Sequence, residues 1–334
     1  MSVSIYDIAK KAKVAPSTVS RALQDHPRIG AKTKQLIQAL AKEMDYVPST
    51  VAKSLIANRT WTIGMVLATI DDPFMGRVVE GVEQIAIEAG FNVFLSTSQN
   101  NRERELAIID VLQQRRVDGI IVIASHLFDR YARYVDRSKV PIIVINEQDP
   151  GKTIHFVTVD DVQGACLAVE HLIALGHRRI GYVSNINRPK SNQHRLKGHQ
   201  DALAAAGIAF DPALIFTSND IEDNAKRGEV SLEPLLAAGA TAVFCYNDTT
   251  AIGVLAACYK RGIVVPDNLS VIGFDDIDMA AYTIPPLTTI RQPRFELGQR
   301  AMQMMLDLLD GQEPDNQILP GELVVRQTTT RLVP

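Results

Sequence analysis

Apolar residues recur with two different periods along this chain, and the change of period divides it. From Ile5 the spacing is helical, with Ile5, Ile8, Ala9 and Ala12 at i, i+3, i+4 and i+7 on one face. Ser4 and Asp7 frame the start as a capping-box variant, with Asp in place of the usual Glu. After the connector Lys13-Val14-Ala15, Pro16 suits a first helical turn, where its missing N–H is not needed. Val19, Ala22 and Leu23 then predict a second helix over 16–23. Asp25 to Gly30 reads as a loop, and Leu36, Ile37, Leu40, Ala41 and Met44 form the inner face of a third helix. Two short helices across a tight turn, braced by a third, predict a helix-turn-helix.

Beyond Thr60 short apolar runs alternate with helical segments. Residues 63–67, 92–96, 119–124 and 141–145 read as strands, with helices over 75–89, 103–115 and near 128–138 between them. The alternation resumes with helix 162–175, strand 180–184, helices 194–206 and 225–238, strand 242–246, helix 249–261 and strand 270–274. This order predicts parallel sheets covered on both faces, in two similar halves.

The length of 334 residues agrees, since about 100–200 residues per domain implies two or three units. Charge sharpens the division. Residues 1–60 carry ten Lys or Arg against four acids, a net +6, while the whole chain is −3 and the remainder therefore −9. A basic head on an acidic body is the layout of a protein whose one end meets a polyanion. No apolar stretch approaches the roughly 18 residues of a membrane span, and the first residues lack a signal-peptide layout. Cys166, Cys245 and Cys258 are widely spaced, which suits neither a disulfide framework nor a zinc site. The expectation is a cytoplasmic protein without cofactor, metal site or membrane contact.

In a helix-turn-helix the second helix enters the major groove of double-stranded DNA. Ser17, Thr18 and Arg21 are the polar residues placed to read it, Arg by bidentate contact with guanine and the hydroxyls with bases or phosphates. The competing reading is a three-helix packing module with a solvated face. In the body, ligands of open α/β sheets sit beyond the C-terminal strand ends. Asp71, Asp72, Pro73 and Phe74 follow the first strand, Asn146 and Glu147 the fourth, Asn247 and Asp248 the strand at 242–246, and Asp275 and Asp276 that at 270–274. Ser191 and Arg195 lie at the opening of helix 194–206. Helix capping is the competing use of such acids, and for Asp72, Asp248 and Asp276 it is the favoured one. No phosphate-binding glycine loop, HExxH or GxSxG occurs, and the seven His are scattered, so no enzyme is indicated. His177 reads as a surface or capping residue.

Several segments carry a resemblance. Ile5-Tyr6-Asp7-Ile8-Ala9, Val14-Ala15-Pro16-Ser17-Thr18-Val19-Ser20-Arg21-Ala22-Leu23 and Tyr46-Val47-Pro48-Ser49-Thr50-Val51-Ala52-Lys53-Ser54-Leu55 closely resemble the head of the lactose/galactose-repressor family, and the likeness runs to the C-terminus. Lys13, Ala15 and Gln24 depart from the glycine, serine and asparagine usual there. The resemblance implies a transcription regulator, most often a repressor, that binds a near-palindromic operator as a homodimer under control of a small-molecule effector. It implies an α/β fold in which a helix-turn-helix head (1–48) and a hinge helix with linker (49–60) precede a two-lobed, periplasmic-binding-protein-like effector domain (61–334), each lobe a doubly wound parallel sheet. The N-lobe would take 61–159 and 290–318, and the C-lobe 160–289 and 319–334, with chain crossings near 160, 289 and 319.

By the same carry-over Leu55, with Ala52 beside it, wedges into a minor-groove step when the hinge folds on DNA, although Leu55 packing on the body is an alternative. Asp72, Phe74, Asn146, Ser191, Arg195, Ile221, Asn247 and Asp275 would meet the effector. Where relatives place a stacking aromatic, this chain has Asn219-Asp220-Ile221-Glu222. A sugar or sugar derivative is the first expectation for the effector and a nucleoside or purine the second; the sign of its effect is not legible. Pro285-Pro286 resembles the family's link between lobes, with either a cis X–Pro bond or a plain rigid loop expected. A secreted solute-binding protein would share the body but not the basic head.

Overall fold

The computed structural model describes residues 3–46, 59–123, 140–146, 154–218 and 220–332. The expected hinge helix with Ala52 and Leu55, and the helix near 128–138, fall outside these residues. The chain divides into two compact units, 1–60 and 61–334.

The first unit holds α1 (Ile5–Ala12), α2 (Pro16–Leu23) and α3 (Ala31–Glu43). Its core is Ile8, Ala9, Val19, Ala22, Ile37 and Ala41, at the helical spacings the sequence shows. The Asp7 carboxylate closes the start of α1, accepting from the Ser4 backbone N–H at 2.9 Å and the Ser4 hydroxyl at 2.7 Å. Leu36 departs from expectation. It is 49% exposed, because Ile37 and Ala41 already fill the stripe of α3 that meets the other helices.

The described residues of the second unit form two six-stranded sheets. The first is built from β1 (Thr62–Leu67), β2 (Asn92–Thr97), β3 (Gly119–Ile123), β4 (Ile142–Ile145), β5 (His155–Val159) and β11 (Gln317–Leu319) in the order β11-β5-β4-β3-β1-β2, all parallel. The second is built from β6 (Ile180–Val183), β7 (Ile215–Phe216), β8 (Ala242–Cys245), β9 (Ser270–Asp275), β10 (Thr288–Arg291) and β12 (Glu322–Val324), in the order β12-β10-β9-β8-β6-β7. Among the described strands only β12 runs antiparallel to its neighbour.

Alternate residues of the central strands enter different cores, which is why those strands read as unbroken apolar runs. Ile63, Met65 and Leu67 of β1 pack with α4 (Pro73–Glu88) and α10 (Arg294–Leu309), while Val66 packs with Ile109 and Leu112 of α5 (Arg102–Gln114). In the second lobe Val243 and Cys245 face α8 (Asn224–Ala237) and α9 (Asp248–Lys260), while Ala242 and Phe244 face α6 (Asp161–Ala174) and α7 (Pro189–Ala205). Helices α8 and α9 approach so closely that a Cβ at Gly253 would stand 1.9 Å from the Ala225 carbonyl oxygen. Each lobe is thus a doubly wound sheet.

The chain passes between sheets after β5, after β10 and between β11 and β12. The middle passage expected near 289 lies beyond Arg291, because Thr288–Arg291 pairs entirely with the second sheet. Helix α7 begins at Pro189 rather than 194, since Pro189 supplies a first turn that its ring favours. The Ile284–Pro285 bond is cis. His177 is 2% exposed instead of lying at the surface. Its Nδ1 meets Thr241 Oγ1 at 2.9 Å, and its Nε2 meets Ser270 Oγ and the Thr330 carbonyl at 3.1 Å, tying the C-terminal segment to the second lobe.

Candidate functional site

Two places bring together the side chains singled out in the sequence. In the first unit, α2 buries Val19 and Ala22 and leaves Ser17 and Arg21 exposed. Ser17 and Arg21 are one helical turn apart and so share the outward face; Thr18 beside them is half-buried. The turn before α2 is made without the glycine and serine usual there. Lys13 takes left-handed backbone at φ 54°, and Ala15 stands at the N-cap with no side-chain acceptor to offer. Part of the basic charge is committed locally, Lys34 to Asp25 at 2.5 Å and Lys11 to Glu43 at 2.9 Å.

In the second unit a cleft of about 770 Å³ opens beyond the C-terminal ends of β1, β2, β4, β6, β8 and β9. That is where parallel α/β sheets place ligands, and the size suits a small molecule. Asp72, Phe74, Asn146, Ser191, Arg195, Asn247 and Asp275 all line it. Ile221 does not. Its carbonyl is held by the Arg227 guanidinium, and Glu222, Asp223 and Asn224 face the cleft instead. Phe74 reaches the cleft but is 5% exposed and belongs to the first lobe's core, so its ring faces are largely occupied.

Arg195 is the centre of the floor. It is 3% exposed and donates from Nε to Asp161 at 2.8 Å and from Nη1 to the Tyr246 carbonyl at 2.5 Å. Asp275 Oδ1 stands 3.8 Å from Nη1. The guanidinium also lies over the Phe274 ring at 3.7 Å and the Tyr246 ring at 4.5 Å. Burial by itself would lower its pKa, but Asp161, Tyr246 and Asp275 outweigh that and hold the charge firmly. Burial pushes the Asp275 carboxyl up to about 7, against the pull of Arg195. Gln292 Nε2 donates to Asp275 Oδ1 at 2.6 Å, and the Gln292 side-chain carbonyl oxygen is buried with no donor among the described residues. Asn146, at φ 60°, presents a second buried oxygen of the same kind.

The acids following the strands divide by role. Asp72 caps α4, accepting from Phe74 N at 3.0 Å, and still borders the cleft. Asp248 is not a cap. Asn247 holds that position, accepting from Thr250 N at 2.9 Å, while Asp248 is fully buried and ties Ile277 N to the Thr289 hydroxyl. Asp276 likewise pairs with Arg291 and Arg326 at 2.7 and 2.6 Å. Tyr246, Asn185, Arg188 and Gln292 also line the cleft and were missed from sequence. Tyr246 had a legible signal, since it stands directly before Asn247 at the end of β8.

Residues 4–49 match the model for bacterial regulatory proteins of the lacI family, and residues 169–329 that for a periplasmic binding protein-like domain. The HTH-type transcriptional repressor CytR of Escherichia coli strain K12 is 33% identical over 329 residues, covering 98% of this chain and 96% of that one. The chain belongs to the lacI family. Among solved structures, the lac repressor dimer bound to operator and the anti-inducer ONPF superposes with a TM-score of 0.88 at 30% identity, covering 99% of this chain and 100% of that one. A lacI-family transcriptional regulator from Enterococcus faecium with bound ribose gives 0.73 at 30% identity over 81% of this chain and 100% of that one. These relatives are regulators rather than enzymes. Among the described residues no helix is long and apolar enough to cross a membrane.

Proposed function

We propose that this lacI-family protein is a transcriptional repressor that binds a near-palindromic operator as a homodimer and is switched by a sugar or sugar derivative held in the cleft. The observation that carries this reading is the union, in one chain, of an exposed Ser17–Arg21 face on α2 with a buried polar cleft centred on Arg195 and Asp275. Arg21, Ser17 and Thr18 read base edges, and two copies of α2 enter major grooves about 10 base pairs apart. Ala52 and Leu55 act at the central minor-groove step. Exposed apolar side chains such as Tyr259, Tyr282 and Ile284, at 88%, 78% and 96%, favour a partner copy on the body.

In the cleft Asp72, Asn146, Ser191, Arg195, Asn247 and Asp275 hold the effector, and Phe74 adds apolar contact. A sugar is favoured over a nucleoside because the amide and carboxylate oxygens of Asn146, Gln292 and Asp275 ask for hydroxyl donors. The rings offer little to a base. Phe74 is buried, and Arg195 covers a face of Tyr246. The ribose found in the Enterococcus relative agrees. Only an effector that binds the two lobe arrangements unequally can move the operator equilibrium.

Selection of duplexes from a random pool by the intact chain should return a two-fold symmetric site. A thermal-shift screen of sugars and nucleosides should return a sugar that changes affinity for that site. Absence of any preferred duplex removes the regulator reading, and a nucleoside hit with no sugar hit replaces the effector class.

A further inference from the structure

Asp275 ends β9 and Asp276 follows it, with φ of 117° and 53°. Non-glycine residues keep such backbone only where their surroundings over-determine it. Gln292 holds the Asp275 carboxylate at 2.6 Å, and Arg291 and Arg326 hold that of Asp276. These partners all act from the second lobe or its exit. Arg294 differs. It opens α10, the helix that covers the first sheet, and it is 8% exposed.

Nη2 of Arg294 donates to the Asp276 carbonyl at 2.7 Å and to Asp278 Oδ1 at 3.3 Å. Nη1 donates to the Pro73 carbonyl at 3.2 Å. Pro73 opens α4 of the first lobe, between Asp72 and Phe74, both of which line the cleft. One guanidinium therefore joins the residue after Asp72 on one lobe to the residue after Asp275 on the other. Its donors form a rigid planar fork, so they cannot follow both carbonyls through a lobe rotation.

We propose that Arg294 is the positioning residue that fixes the angle between the two lobes and so passes the state of the cleft to the rest of the chain. A change in the separation of Asp72 and Asp275 forces Arg294 to release either Pro73 or Asp276, which makes the two lobe arrangements discrete. The link to effector response rests on the function proposed above; the control of lobe angle does not.

The test uses the full-length, effector-free chain with nitroxide labels on Glu83→Cys in α4 and Asp267→Cys in the second lobe, both exposed positions, in a Cys166→Ser background. Labelled chains are diluted with unlabelled ones so that only distances within a chain are read. The parent should give one narrow distance. Arg294→Met should lose it, with a broadened distribution or a second distance, and Arg294→Lys, which keeps the charge and a donor, should restore part of it. An unchanged distribution in Arg294→Met, with its circular dichroism and cooperative melting intact, overturns the proposal. Should that variant fail to melt cooperatively, Arg294→Gln is read by the same criterion. A parent chain that binds no operator removes the regulator function and leaves the distance result standing.

Discussion

The head and the body solve opposite problems with polar side chains. In the head the core is six apolar residues, and the chemistry lies outside it. Ser17 and Arg21 are exposed and stand outside that core. In the body the chemistry is part of the core. Arg195 and Asp275 are 3% and 6% exposed, between aromatic rings and buried acids. An exposed surface of the first kind can change its residues without disturbing its support. A binding floor of the second kind cannot, because the groups that would meet a ligand also satisfy one another.

The largest effect is expected at Arg195. Arg195→Ala leaves Asp161 buried without its cation, which should cost about 3–5 kcal/mol of the body's unfolding free energy and abolish effector binding. A urea midpoint equal to the parent's would break the contrast. Asp275 comes next. Its folded value of about 7 lies above the ordinary 3.8, so between these values the folded chain binds a proton that the unfolded chain does not. The resulting stabilisation is complete below 3.8 and fades as pH rises through 7. Unfolding free energy of the parent should therefore fall, relative to Asp275→Asn, by about 1 kcal/mol per pH unit across that window. A pH-independent difference would show that Asp275 does not titrate there.

At the head, Arg21→Ala should leave stability within about 0.5 kcal/mol. Discrimination of operator from random duplex should fall by about 1–3 kcal/mol, roughly 5- to 150-fold. Competition binding and melting of the same sample settle both at once; a head that unfolds would show that Arg21 is structural after all. The smallest effects sharpen the contrast from the side of support. Lys13→Gly relieves left-handed backbone and Ala15→Ser supplies a cap, each worth about 1 kcal/mol. Hydrogen-exchange protection of head amides should rise with sequence preference unchanged, and no rise in either variant would place the strain elsewhere.

Much of this was legible from residues alone, for identifiable reasons. Ile5, Ile8 and Ala9, then Val19, Ala22 and Leu23, then Ile37, Leu40 and Ala41 each repeat at helical spacing, so the three helices of the head follow from local pattern. The strands β1, β3, β4, β8 and β9 are buried on both sides and stand out as apolar runs. Four further strands give no such signal. β7, β11 and β12 are only two or three residues long, and β10 reads Thr-Thr-Ile-Arg, polar enough to pass for a link. Its threonines are buried because Thr289 bonds Asp248 and Thr288 accepts from the Arg326 backbone N–H at 3.0 Å, partners distant in sequence.

The cleft shows the same limit. Residues at strand ends could be named by position, and Asp72, Asn247 and Asp275 were. Whether an acid caps a helix, pins a neighbouring loop or faces a ligand depends on the far partner, which is why the sequence alone favours capping for Asp248 and Asp276. Ile221 stands where the resemblance implies a stacking aromatic. The long reach of Arg227 turns that segment so that its neighbours face the cleft.

The late arrival of α10 has a consequence during synthesis. Leu297, Ala301, Met302 and Met305 cover Ile63, Met65 and Leu67, yet they are made long after β1 to β5 have left the ribosome. At about 5–20 residues per second that oily face, covered by α4 alone, lacks its α10 side for on the order of ten seconds. Chaperones that shield emerging chains should therefore engage this protein before its midpoint and let go only near its end.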